Sequence, residues 1–222
     1  MQSRESGARF SADSDCIPAV GYRKSTIPSI RQRLAWVTVL AAVALFSLTG
    51  CVSIVTPPET PSDPVTVHLI SSGRHAGLLL PCDDGRTVEY GYGEWGWYAQ
   101  VRTGWWRAPL ILLWPHQGTL GRRYVSGDDL VEDSYDRGKL EPIVVSGDKA
   151  ARLLARLDAE FAAGGDPHYN RDYEMSFVMH PDRFSLLHNC HDEVVEWLRE
   201  LDSGVSWAPI RRGLKVRSAV PD

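Results

Sequence analysis

The segment His188-Asn189-Cys190-His191 places a thiol between two imidazoles where an amphipathic helix is predicted to begin. Asn189 is a favourable N-cap residue, so Cys190 should lie in the first helical turn. The helix dipole and the unpaired N–H groups of that turn favour a thiolate. Apolar residues at helical spacing put Cys190 on the inward face: Val194, Trp197, Leu198 and Leu201. From position alone, Cys190 can be a buried inert thiol, a metal ligand, a disulfide half or a nucleophile.

A partner for the thiol occurs early in the chain, at His75. This histidine opens the stretch HAGLLLP, residues 75–81, directly after the turn-forming Ser-Ser-Gly-Arg. A cysteine nucleophile needs a nearby imidazole that takes and returns its proton. We therefore predict a Cys190–His75 dyad, with the sulfur within about 4–5 Å of a ring nitrogen and with His75 on the sheet face that lies beneath the Cys190 helix.

A third polar residue is expected to orient the imidazole, as in other cysteine and serine nucleophile sites. Glu89 lies in the next predicted strand and is the preferred candidate. Glu94, in the glycine-rich turn beyond it, and His68, in the preceding strand, are the alternatives.

The predicted strands come first in the chain and the predicted helices later. This order indicates an α+β fold with a largely antiparallel sheet. The strand ending at His180 should stop at Pro181. Residues 64–222 are expected to form this single domain. Strands are predicted at residues 64–71, 75–81, 86–92, 139–145 and 174–180, and helices at 146–163 and 190–201.

The first fifty residues are typical of a bacterial lipoprotein signal peptide. Arg31 and Arg33 precede an apolar run that ends in Leu-Thr-Gly-Cys51. This ending resembles a lipobox, which implies that Cys51 is lipidated and becomes the mature N-terminus. A single transmembrane helix is the alternative. Residues 51–63, which contain a Pro-rich stretch, should form a lipidated tether.

This segment predicts a lipid-anchored protein of the bacterial cell envelope. The anchor would lie in the periplasm-facing outer membrane or in the outer leaflet of the cytoplasmic membrane. An aspartate after the lipidated cysteine is associated with retention in the inner membrane. Val52 occupies that position here, which favours the outer membrane. Only Cys82 and Cys190 would remain as thiols. Residues 51–222 hold 18 basic and 25 acidic residues without a basic cluster, which argues against a nucleic-acid partner.

Three motifs in order resemble an uncharacterised bacterial lipoprotein family, domain of unknown function 2459. They are SSGRHAGLLLP, YGYGEWGWY and the late Asn189-Cys190 helix. More distantly, the histidine-first, cysteine-last order resembles the circularly permuted NlpC/P60 branch, which includes lecithin:retinol acyltransferase-like proteins. The resemblance implies a papain-like fold and a cysteine hydrolase or acyltransferase that works through a thioester, without a cofactor. Murein peptides or acyl lipids would be the substrates.

Three other interpretations stay open. His188, Cys190 and His191, with His180, supply zinc-ligand types, although no standard ligand spacing is present. Cys82 could pair with Cys190, which would exclude the dyad. A non-catalytic envelope module could bind glycan or acyl chains through a tryptophan-rich segment. Its tryptophans are Trp95, Trp97, Trp105, Trp106 and Trp114.

Overall fold

The computed structural model describes residues 38, 51–72, 75–104, 106–125 and 139–217, apart from the side chains of residues 109 and 112. Contacts divide the chain into residues 1–43 and residues 44–222, and the elements below belong to the second unit. The predicted signal peptide lies outside the described residues except for Thr38, which is helical. Within the described part of the chain, no helix is long and apolar enough to cross a membrane.

The described elements begin with four consecutive strands, after which helices and strands are interspersed. The strands are β1 (Cys51–Thr56), β2 (Pro64–Ser71), β3 (Ala76–Pro81), β4 (Thr87–Glu94), β5 (His116–Val125), β6 (Lys139–Ser146), β7 (His168–Asn170), β8 (Met175–Phe184), β9 (Gly204–Val205) and β10 (Arg211–Val216). The helices are α1 (Trp95–Tyr98), α2 (Arg107–Leu113), α3 (Gly147–Ala163) and α4 (Cys190–Glu200).

A seven-stranded sheet in the order β6-β2-β3-β4-β5-β8-β7 carries the fold. Each neighbouring pair in it is antiparallel. Local hairpin connections join β2 to β3 and β3 to β4, as the alternating strands and the Asp-Asp-Gly turn predict. The prediction of an α+β fold with an antiparallel sheet is therefore confirmed.

The two faces of this sheet are covered differently. Side chains such as Leu78, Tyr90 and Leu120 point to the first face and form the main core with α3 and α4. The second face bears a smaller apolar cluster with Met175 and Phe177, against which Tyr98 of α1 packs. Because side chains alternate along a strand, a residue's parity decides which face it serves.

The predicted tether is wrong over its first half. Residues 51–56 form β1, which pairs in parallel with β10 and antiparallel with β9. The run Cys-Val-Ser-Ile-Val-Thr is rich in β-branched residues, and Ser53 and Val55 are buried. The domain therefore begins before residue 64, and only residues 57–63 connect β1 to β2.

The predicted end of a strand at Pro181 is also wrong, because β8 continues to Phe184. Its pairing with β5 skips two residues: Gly118 pairs with His180, whereas Gln117 pairs with Arg183. Pro181 therefore lies in a bulge, where its missing N–H costs no ladder hydrogen bond.

Candidate active site around Cys190

The N-terminus of α4 is fixed by a capping box. The Asn189 side chain accepts a hydrogen bond from the His191 backbone N–H at 2.9 Å, and Asp192 accepts from the Asn189 N–H at 3.2 Å. Arg211 of β10 binds the same Asp192 carboxylate at 2.5 Å. These contacts hold the first turn, and with it Cys190, in one position.

The Cys190 sulfur is enclosed by the start of β3 and by its own helix. The residue is 5% exposed. Burial raises the pKa of the Cys190 thiol to about 11, although backbone N–H groups of Ala76, His191 and Cys190 itself favour the thiolate and oppose the rise. The thiol is therefore protonated at neutral pH until a base removes its proton, and N–H donors already face the sulfur.

The imidazole of the next residue, His191, contacts the sulfur directly. Nδ1 of His191 lies 3.5 Å from Sγ of Cys190, and Nε2 lies 3.0 Å from the Ser72 carbonyl oxygen. A carbonyl only accepts, so Nε2 carries the proton and Nδ1 keeps its lone pair. Burial lowers the pKa of His191, which keeps the ring neutral. The Cys190 S–H therefore donates to His191.

His75 lies one residue before β3, with its ring on the second face of the sheet. Two glycines that pair across β3 and β4, Gly77 and Gly91, leave room for it. A β-carbon on Gly91 would lie 3.1 Å from Cε1 of His75, and one on Gly77 would lie 3.5 Å from Nε2. The missing side chains thus let the imidazole lie flat against β3 and β4.

The His75 ring faces Glu89, its predicted partner. Nε2 of His75 lies 4.0 Å from Oε1 of Glu89, which is fully buried. The other carboxylate oxygen accepts two hydrogen bonds from Arg123, Nε at 3.0 Å and Nη2 at 2.5 Å. Among the described residues, Oε1 has no hydrogen-bond partner. Oε1 of Glu89 is therefore the carboxylate oxygen that would stabilise a positive charge on the His75 ring.

The Cys190 sulfur approaches the start of β3, near Ala76, and the β3–β4 pairing begins one residue later at Gly77. The N–H group that donates to the sulfur belongs to Ala76, the residue bonded to His75. This differs from the expected crossing of α4 over the histidine's strand, because α4 covers the first face and the imidazole lies on the second. Tyr98, whose ring centroid is 5.9 Å from that of His75, borders both residues.

The alternative third residues have other contacts. Glu94 caps α1 by accepting from the Trp97 N–H at 2.5 Å, and lies 3.9 Å from Arg107. His68 is half-buried in β2 opposite Leu79, and burial lowers its pKa.

The structure separates the proposed zinc ligands and the proposed disulfide. His188 approaches Glu193 at 3.0 Å, whereas Cys190 and His191 contact each other. Cys82 follows the far end of β3, and the described cysteines, Cys51, Cys82 and Cys190, are all free thiols. A Cys82–Cys190 pair is therefore not formed.

The tryptophan-rich segment forms two short helices rather than one flat platform. Trp95 and Trp97 are half-buried in α1, whereas Trp106 and Trp114 flank α2 and are exposed. Trp105 lies outside the described residues. The α2 face adds exposed Leu110 and Leu113.

Comparison of this chain with protein-family models, with curated proteins and with solved structures gives no match.

The contributions of Arg123, Tyr98 and His191 were not predicted from the sequence. Arg123 reaches Glu89 because the two are register partners in β4 and β5, a pairing between distant segments. His191 projects about 100° from Cys190 around a helix, yet its longer side chain reaches back to the sulfur. The presence of histidine next to Cys190 was the available signal for this contact.

Proposed function

We propose that this protein is a lipid-anchored thiol enzyme of the bacterial cell envelope with a permuted papain-like arrangement. In this proposal Cys190 attacks the carbonyl carbon of an amide or ester, and the acyl group passes to water or to another acceptor. The observation that carries it is the buried thiol at a helix N-terminus, hydrogen-bonded by the Ala76 N–H beside the His75–Glu89 pair. Murein peptides are the first substrate class and acyl lipids the second.

The proposed reaction uses His75 as base and then as acid in each of two stages, acylation and deacylation, and the last proton returns to the Cys190 sulfur. His75 takes the thiol proton as the Cys190 sulfur bonds to the carbonyl carbon, and then gives that proton to the departing amine or alcohol. Water, deprotonated by His75, next attacks the thioester carbon and releases the acid together with the thiol. The N–H groups of the first helical turn and of Ala76 supply donors for the oxyanion.

Glu89 has a positioning role in this proposal. Nε2 of His75 faces the carboxylate, and Nδ1 is assigned as the nitrogen that takes the thiol proton. When His75 becomes an imidazolium, the oxygen 4.0 Å away stabilises the positive charge in a buried setting. Arg123 holds the other oxygen and keeps the carboxylate in place.

A test of the proton acceptor is the alkylation of Cys190 by iodoacetamide at neutral pH, followed by mass spectrometry of the full-length protein. Replacing His75 with glutamine should slow Cys190 alkylation by about 10²-fold, since general-base assistance is typically of that size or more. Cys82, which lies beyond the other end of β3, provides an internal reference in the same molecules.

The matched variant is His191→Gln, which removes the other imidazole near the sulfur. It should change the alkylation rate much less than His75→Gln. Equal rates for wild type and His75→Gln, or a larger loss in His191→Gln, would contradict the assignment of His75 as the base.

The proposed lipid anchor leads to a separate prediction. Cells that express wild-type protein should incorporate an alkyne fatty acid into it, whereas Cys51→Ser should remain unlabelled. Since Cys51 is exposed and opens β1, the acyl chains would hold the domain close to the membrane. Labelling of the Cys51→Ser protein at the wild-type level would rule out this anchor.

A second candidate function rests on the exposed apolar residues around α2. In this alternative the protein binds acyl chains without catalysis, through Trp106, Leu110, Leu113 and Trp114. Arg107 of α2 lies 3.9 Å from Glu94, the N-cap residue of α1. The same helix α1 contains Tyr98. Retention on acyl-chain vesicles that is unchanged by Cys190→Ala, together with no turnover, would favour it.

A further inference from the structure

A group of metal-ligand side chains lies beside the thiol site but separate from it. Asp182 comes from the β8 bulge, His188 from the loop before α4, and Glu193 from the first turn of α4. One ligand atom from each lies within 4.8 Å of the other two. Three chain segments thus converge on one small volume.

His188 and Glu193 approach each other closely, with Nε2 and Oε2 3.0 Å apart, as in an ion pair. Both atoms are buried, yet neither completes a well-aligned hydrogen bond with a described residue. Glu193 is 5% exposed. A buried carboxylate oxygen without a well-aligned donor is costly. A cation that binds both atoms would satisfy them together.

The rest of the Glu193 carboxylate is already oriented. Its Oε1 accepts a hydrogen bond from the indole N–H of Trp197 at 3.1 Å. Outer contacts of this kind fix metal-binding carboxylates and leave the second oxygen for the ion. The Tyr92 ring packs edge-on against His188, which fixes that imidazole as well.

We propose that Asp182, His188 and Glu193 bind a divalent transition-metal ion, with Zn²⁺ as the best fit. One imidazole nitrogen and two carboxylate oxygens are established zinc donors, at bond lengths of about 2.0–2.2 Å. Ligand atoms around one tetrahedral ion then lie about 3.4 Å apart. The observed separations need only a small adjustment, chiefly of the exposed Asp182 side chain.

The neighbouring histidine and cysteine are not part of this site. Nδ1 of His180 accepts a hydrogen bond from the Asp182 backbone N–H at 3.2 Å, so that lone pair is in use. The Cys190 sulfur faces His191 and Ala76 instead. The ion would therefore tie the β8 bulge to α4 and brace the loop that carries Asn189, without touching the nucleophile.

The test uses the full-length protein, Zn²⁺ for thermal shifts and Co²⁺ for absorption spectra. Zn²⁺ at about 100 times its Kd should raise the Tm by roughly 5–10 °C. Co²⁺ should give visible ligand-field bands without a thiolate charge-transfer band. Glu193→Gln and His188→Gln should lose both effects, whereas Glu196→Gln, a change of an exposed acid on the same helix, should keep them.

A Cys190→Ser variant separates this site from the thiol. It should retain the Zn²⁺-dependent rise in Tm and the Co²⁺ bands. Absence of metal effects in the wild type, equal effects in Glu193→Gln, or a charge-transfer band that disappears in Cys190→Ser would each overturn the proposal. None of these readouts depends on whether Cys190 is an enzymatic nucleophile.

Discussion

Cys190→Ala is expected to lower kcat/KM for an activated aryl acyl ester by at least about 10³-fold, to the level of the reaction without enzyme. The reason is that the thioester route needs the sulfur as its nucleophile. Turnover would be measured with the full-length protein in detergent, from release of the aryl alcohol. The same variant should lose any action on murein peptides.

Cys82→Ala is the matched control for this loss. Cys82 is a free, half-buried thiol at the opposite end of β3 from His75. Its removal should leave kcat/KM unchanged within experimental error. Turnover that survives in Cys190→Ala, or disappears equally in Cys82→Ala, would contradict the proposed role of Cys190.

Glu89→Gln is expected to destabilise the fold as well as slow the reaction. The carboxylate is fully buried and carries the paired charge for Arg123, so its neutralisation removes that charge from beside a nearly buried guanidinium. Breaking such a pair typically costs about 3–5 kcal/mol. The free energy of unfolding, measured by urea denaturation, should fall by that amount.

The structural and the positioning roles of Glu89 can be separated by removing both charges. Apolar replacement of a buried pair is often neutral for stability, so Glu89→Leu combined with Arg123→Met should recover most of the lost unfolding free energy. It should not recover turnover, because His75 would still lack its carboxylate. Full recovery of the rate in the double variant would show that Glu89 acts only through stability.

Much of the sheet follows from local patterns. Alternation predicts β2 with its observed bounds, and it predicts β3, β4 and β6 to within about two residues. The strand β5 was missed because Gly118 and Gly121 weaken its local signal. These glycines are explained only by distant neighbours, since a β-carbon on Gly121 would lie 2.6 Å from Cε1 of Phe177.

Some features of the candidate site could likewise be predicted from neighbouring residues in the sequence, whereas others depend on segments that are far apart in the chain. The capping box at Asn189 and the strand opening at His75 depend on a few adjacent residues and could be predicted. The space for His75 on its side of the sheet depends on Gly77 and Gly91 in two paired strands, and the Glu89–Arg123 pair depends on register. Neither can be read from a single segment, and so the face of the imidazole was predicted incorrectly.

The most direct test of the central claim is the intact mass of the full-length protein after rapid mixing with an activated acyl ester and acid quench. The account predicts a transient mass increase equal to one acyl group, located on Cys190, removable by hydroxylamine and absent in Cys190→Ala. It also predicts that the adduct forms more slowly in His75→Gln. No adduct on Cys190 under conditions of measurable turnover would contradict a thioester mechanism.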